Sequence, residues 1–182
     1  MVISHQSNQK KSNLPRTFRA FESIGYRFLW MSSLSTNISR YMQLILLMWL
    51  VLELKHSPFL VALVGFFGMA PMFLFGLLGG IMADRWSKQR LLMITAGLGV
   101  LVSITMWLVL VFASVQFWHA YLVILMSGVG FAIDLPARRF LIHDLLGRIE
   151  STNGFAFDSV ALSASRMIGP ALAGGLIAFA GV

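Results

Sequence analysis

Cysteine is absent from this 182-residue chain. That excludes disulfide staples and thiolate metal sites, and says little about compartment. Acidic residues are scarce, with 7 Asp and Glu against 14 Lys and Arg, for a net charge of +7. Charge of either sign is thin at 12%, about half of what an ordinary soluble domain carries. The 4 histidines, His5, His56, His119 and His143, are scattered and have no second ligand at useful spacing, so no metal site is read. No HExxH, Walker-type phosphate loop or nucleophile elbow occurs. The sequence therefore offers no catalytic cluster and no cofactor motif, and the chain is read as not an enzyme.

What fills the chain instead is apolar. Hydrophobic residues make up 58%, and the mean hydropathy is +0.80. They are gathered into runs of about 20 or more, the length a helix needs to cross a bilayer. Spanning backbone must satisfy its own hydrogen bonds, which leaves helices or a closed barrel. Barrel strands would alternate polar and apolar residues, and these runs do not. The fold class expected is all-α integral membrane, with five transmembrane helices at about residues 28–52, 59–83, 91–112, 118–135 and 159–182.

Residues 1–27 are expected to form a cytoplasmic leader. Its first part is polar, and Phe18, Phe21, Ile24 and Phe28 can share one face of a short interfacial helix that places Arg16, Arg19 and Arg27 against lipid phosphates. No short apolar segment with a cleavage site follows, so no cleaved signal peptide is read. In the first span Ser33, Thr36, Asn37, Arg40 and Gln43 recur at three- and four-residue spacing and form one stripe. Arg40 falls near mid-depth, where a charge facing lipid costs at least ~2.5 kcal/mol, so the stripe faces protein or a water-filled cavity. Pro71 falls mid-span in the second run and is expected to bend it. Gly76 and Gly80 are expected to offer a smooth face to a neighbouring helix. Asp134 and Pro136 are read as closing the fourth span, with Ala137–Asp158 as a loop or amphipathic segment. In the fifth span Arg166 lies on a polar face, and Gly169, Pro170, Gly174 and Gly175 crowd together as a bend or packing element. No Asp or Glu is read at mid-depth in any span.

The connections carry the charge. Lys10, Lys11, Arg16, Arg19, Arg27, Arg85, Lys88, Arg90, Arg138, Arg139 and Arg148 collect on one side of the bundle, and the other side holds only Lys55. Basic loops stay in the cytoplasm. The bias thus predicts a multi-pass protein of a cell (inner) membrane with its N-terminus cytoplasmic. It also explains the basic balance without nucleic acid as a partner.

The densest charge cluster is GGIMADRWSKQRLL at Gly79–Leu92. With Gly80, Asp84, Arg85, Lys88 and Arg90 it resembles the motif between the second and third spans of the major facilitator superfamily; Ser87 stands where a Gly is usual. VLELKHSPF at Val51–Phe59, DLPARRFLIHDLLGRIESTNGF at Asp134–Phe155 and SRMIGPALAGG at Ser165–Gly175 are similar to the branch holding enterobactin exporters and macrolide-efflux proteins. The resemblance runs from about Arg16 to the end. It implies twelve spans in two six-helix halves around a central cavity with alternating access. This chain would supply most of the first half, and the sixth span and the C-terminal half would be missing partners.

On that resemblance Asp84 is a conformational latch at the inner face, with Gly80, Arg85, Lys88, Arg90, Asp134, Arg138 and Arg139 in its network. Charge pairs that exchange partners as helices tilt suit that role; the bland reading is a solvated turn. Asn37, Arg40, Gln43 and Arg166 are candidates for a substrate or coupling cavity, or for a structural role in which each arginine bonds helix carbonyls. The function expected is export of a small amphipathic drug or siderophore, by proton antiport across the lipid bilayer. Two cavity arginines tilt the substrate toward acidic molecules such as catecholate siderophores, with macrolides or mixed drugs open. The alternative is a truncated, non-transporting membrane protein that only packs or assembles with a partner.

The lack of native cysteine makes the topology directly testable. A Ser87→Cys variant should react with an impermeant maleimide only after cells are opened, and Ser57→Cys should react in intact cells. The reverse pattern would contradict the orientation.

Overall fold

The computed structural model describes residues 16–112 and 115–180, with side chains described for all of these except 16–18, 78, 82–85, 149 and 180. The polar leader before Arg16 lies outside the described residues, as do the side chains of Phe18, Asp84 and Arg85. The chain is all-α and its described helices include 5 of length and composition suited to crossing a membrane.

A short 3-10 helix, Arg16–Glu22, leads into α1, Ile24–Lys55. Ser23 caps α1, its Oγ accepting the Tyr26 N–H at 3.4 Å, the exchange expected of an N-cap serine. The short helix of the leader is of the 3-10 type, and α1 starts at Ile24. Its aromatic face divides accordingly. Phe21 turns inward, 5.5 Å from Trp30 and 4.9 Å from Phe157 between ring centroids, while Phe28 and Ile24 are exposed. At the other end of α1, His56 takes a left-handed conformation, φ 48°, and its N–H closes on the Leu52 carbonyl at 2.7 Å. Pro58 then opens α2, Pro58–Arg85, the first-turn position where its missing N–H is harmless. α3 is Lys88–Phe112, with the Ser87 carbonyl accepting the Leu91 N–H at 3.1 Å.

The remaining run, Phe117–Ala180, is broken at Gly147, φ 70° and ψ 177°, a backbone conformation that essentially only glycine adopts. The break gives α4, Phe117–Arg148, and α5, Glu150–Phe179. Ala137–Asp158, expected as a loop or amphipathic segment, is therefore helical on both sides of a one-residue kink. Its charges mark helix that runs past the apolar stretch, not a connection. Pro136, Pro71 and Pro170 all lie inside helices that continue through them.

α4 packs against all the other spans. At the end of the bundle where α1 finishes, Leu47 and Val51 of α1, Val64 of α2, Met106 of α3 and Ala120, Val123 and Ile124 of α4 form one buried cluster. At the opposite end, where α1 begins, Tyr26 and Leu29 meet Leu141 and Ile142. There the Tyr26 hydroxyl donates to the Gly154 carbonyl at 2.8 Å and Trp30 Nε1 to the Phe157 carbonyl at 3.0 Å, joining α1 to α5. The α2–α4 contact depends on small residues. A Cβ on Gly128 would lie 2.9 Å from the Gly68 carbonyl oxygen and from Pro71 Cγ, and one on Gly79 would run into the Ala132 carbonyl. Gly76 and Gly80, expected as the smooth face, have open space around them. The contact falls on Gly79, a different face of the helix. The exposed surface is greasy, with Phe73 86% and Leu77 79% exposed on α2, as lipid-facing positions require.

The two glycine faces separate in a simple experiment. Gly79→Leu should lower the stability of the solubilised chain by about 2 kcal/mol, as overpacking does, and Gly76→Leu should leave thermal unfolding almost unchanged. Equal shifts for the two would contradict this packing.

Candidate functional site

The stripe read on α1 faces a cleft of about 470 Å³ walled by α1, α3 and α4. Asn37, Arg40 and Gln43 line it with Ser32, Ser35, Thr36 and Ser39; α3 adds Thr95 and Ser103; α4 adds Ser127, Phe131, Asp134 and Arg138. Phe131, Asp134 and Arg138 stand at i, i+3 and i+7, so one face of α4 supplies an aromatic ring, a carboxylate and a guanidinium.

Several polar groups of the cleft are held by partners within the bundle. Ser127 donates to Gln43 Oε1 at 2.9 Å. Asn37 Nδ2 donates to the Ser33 carbonyl at 2.8 Å, and the Ser33 hydroxyl donates to Asp158 Oδ1 of α5 at 2.7 Å. The Arg40 guanidinium carbon lies 3.4 Å from the centroid of Phe131, a cation–π contact. Arg138 Nε and Nη2 each donate to one oxygen of Asp134 at 3.1 Å, and Nη1 donates to the Leu29 carbonyl of α1 at 3.1 Å. Thr95 of α3 stands 3.5 Å from the same carboxylate. This two-pronged pair is buried, with side chains 4% and 15% exposed, and charge assistance makes such pairs short and directional. It gathers α1, α3 and α4 at the end of the bundle where α1 begins.

The other expected latch residues are placed differently. Lys88 reaches Asp144 of α4 at 2.9 Å across 30% and 49% exposed side chains, a solvent-accessible bridge worth at most about 1 kcal/mol. Arg90 and Arg139 are exposed, and Gly80 has open space around it. Asp84 and Arg85 lie outside the described side chains. Asp144 was not singled out in the sequence, because nothing local signals a partner 56 residues away.

Arg166 does not line this cleft. It is exposed on α5, where its Nε donates to the Tyr41 hydroxyl at 2.9 Å. One turn on, a Cβ at Gly169 would lie 2.7 Å from Tyr41 Cβ and 3.0 Å from the Ile38 carbonyl oxygen, so Gly169 sets the close approach of α1 and α5. Gly174 and Gly175 have nothing within 4 Å. Asp134 and Asp158 both sit inside membrane-length helices, because α4 and α5 run on through the segment expected as a loop or amphipathic stretch.

Residues 16–182 match the family described as "Transmembrane secretion effector". The chain belongs to the major facilitator superfamily, within that family. It is also 29% identical over 153 residues to the staphyloferrin A transporter of Staphylococcus aureus (strain NCTC 8325 / PS 47), an alignment covering 84% of this chain and 38% of that relative. The chain thus spans well under half the length of the curated relative it matches. No solved structure matches. As a major facilitator chain it is a multi-pass membrane protein, and the polar cleft is a feature of its membrane-spanning helices.

Proposed function

We propose that these five helices form part of a secondary transporter that exports a small amphipathic molecule, a drug or a siderophore, in exchange for protons. The observation that carries the reading is the cleft between α1, α3 and α4. Charged and hydrogen-bonding side chains are expensive inside a membrane and are kept there where they meet ions, substrates or each other. Membership of the superfamily supports a mechanism driven by an ion gradient and by rocking of helix bundles. The name of the relative, a staphyloferrin A transporter, supports a siderophore among the substrates.

In this reading the N-terminus and the connection from Arg85 to Lys88 face the cytoplasm. The inner end then carries the lock: Asp84, Arg85, Lys88 and Arg90 on the hairpin side, with Asp134, Arg138 and Arg139 on α4. The Asp134–Arg138 pair and its bond to Leu29 support a fixed base for this lock within the bundle. The Lys88–Asp144 bridge supports a movable part, because it is exposed and weak enough to be exchanged. A C-terminal half would supply the surface that the lock closes against.

The test is efflux by the complete gene product in cells stripped of their own exporters. It should lower the accumulation of a fluorescent amphipathic dye, lose that effect when a protonophore collapses the gradient, and lose it by tenfold or more with Asp84→Asn at unchanged membrane insertion. Dye or siderophore retention identical to that of empty cells would overturn transport in favour of a packing role. Efflux indifferent to the protonophore would overturn proton coupling alone.

A further inference from the structure

Arg40 lies near the middle of the 32-residue α1, with roughly 24 Å of helix toward either end at 1.5 Å per residue. A guanidinium at that depth needs compensation. Phe131 covers one of its faces at 3.4 Å, which offsets part of the charge and neutralises none of it. The carboxylate that shares the cleft is already committed, because both oxygens of Asp134 are held by Arg138 at 3.1 Å. Asp158 is engaged by Ser33 at 2.7 Å. Among the described residues no carboxylate comes within 4 Å of Arg40 and none accepts a hydrogen bond from it. The cleft therefore carries one net positive charge, held on a guanidinium whose N–H edges are not used by the chain. Around it stand neutral donors, Thr36, Ser39 and Ser103, which can hydrogen-bond an oxyanion.

We propose that this cleft is an anion site in which Arg40 holds a carboxylate of the ligand, with Phe131 as the backing plate and the hydroxyls of α1 and α3 taking its remaining oxygens. The guanidinium fork matches a carboxylate in two-pronged fashion, which an ammonium does not. A volume of about 470 Å³ falls in the range of small-molecule sites. The depth of Arg40 favours a dissolved ligand over a lipid headgroup, whose phosphate stays at the membrane surface. Arg166 is not part of the site, since its guanidinium serves the Tyr41 hydroxyl at the α1–α5 seam. The assignment names the ligand class for the transport reading and rests on it only for the ligand's onward movement; binding itself is measured without transport.

The experiment is equilibrium dialysis of radiolabelled benzoate, with benzamide as its uncharged isostere, against the chain in phosphatidylcholine nanodiscs. Benzoate should bind at least about tenfold better than benzamide, the scale of one charge-assisted contact. Arg40→Gln should abolish that preference and Arg40→Lys should restore part of it, which shows that a folded variant has been compared. Arg166→Gln should leave the preference in place. Equal binding of the two probes, no binding of benzoate, or a preference that survives Arg40→Gln and disappears with Arg166→Gln would overturn the site. Loss of benzoate binding when phosphatidylglycerol is added to the discs would overturn the dissolved ligand in favour of a lipid phosphate. Failed efflux with intact benzoate preference would strike the transport reading and leave the anion site standing.

Discussion

A guanidinium buried in a helical membrane bundle has to be matched at once in charge and in hydrogen bonds, and Arg138 is the side chain on which that constraint falls. Its side chain is 4% exposed. Two of its nitrogens are met by Asp134 one turn back on the same helix and the third by the Leu29 carbonyl of α1. Neither partner is optional, because a buried charge left alone costs more than most single contacts contribute. The pair is therefore a fixed point. It sets the rotation of α4, draws the N-terminal part of α1 against it, and leaves Asp134 within reach of Thr95 on α3.

With α4 held in that rotation, the rest of the bundle follows from which residues are small on its remaining faces. Gly128 and Ala132 receive α2 at Pro71 and Gly79. Leu91 of α3 packs on Ala137. The third face, carrying Phe131 and Ser127, looks into the polar cleft. Neutralising Asp134 with Arg138 also decides the electrostatics of that cleft, because it leaves Arg40 without a carboxylate of its own. The binding chemistry and the packing thus derive from one ion pair. α5 is placed by a separate set of contacts, Gly169 on Tyr41 and Trp30 on Phe157, and Gly147 is the joint that lets it turn back against α1.

Much of this was legible in the sequence, and the parts that were not share a cause. Helix length and apolar runs reveal spans because the bilayer sets their dimensions. The stripe Asn37, Arg40 and Gln43 was visible because a period of 3.6 puts those residues on one side. Periodicity does not say which neighbour a side meets, so Gly76 and Gly80 were read as a contact that Gly79 makes. The charges after Leu135 leave a loop and an amphipathic segment both open, although Asp134 and Arg138 stand at the four-residue spacing of a helical pair, and Phe131 completes the face. In the sequence Arg40 and Arg166 both lie on a polar face of an apolar span, and the family resemblance favours Arg166. Only the packing of α5 on Tyr41 separates them. Gly147 could not be told from other glycines, since a kink shows in backbone angles and not in composition.

The most direct measurement is a double-mutant cycle on Asp134 and Arg138, read as unfolding free energy of the chain in lipid. Arg138→Leu alone should cost about 3–5 kcal/mol by stranding the carboxylate. Adding Asp134→Leu should recover most of that loss, giving a large coupling between the two sites. If the two losses simply add, the pair does not hold the bundle together and the account of α4 as its fixed post is wrong.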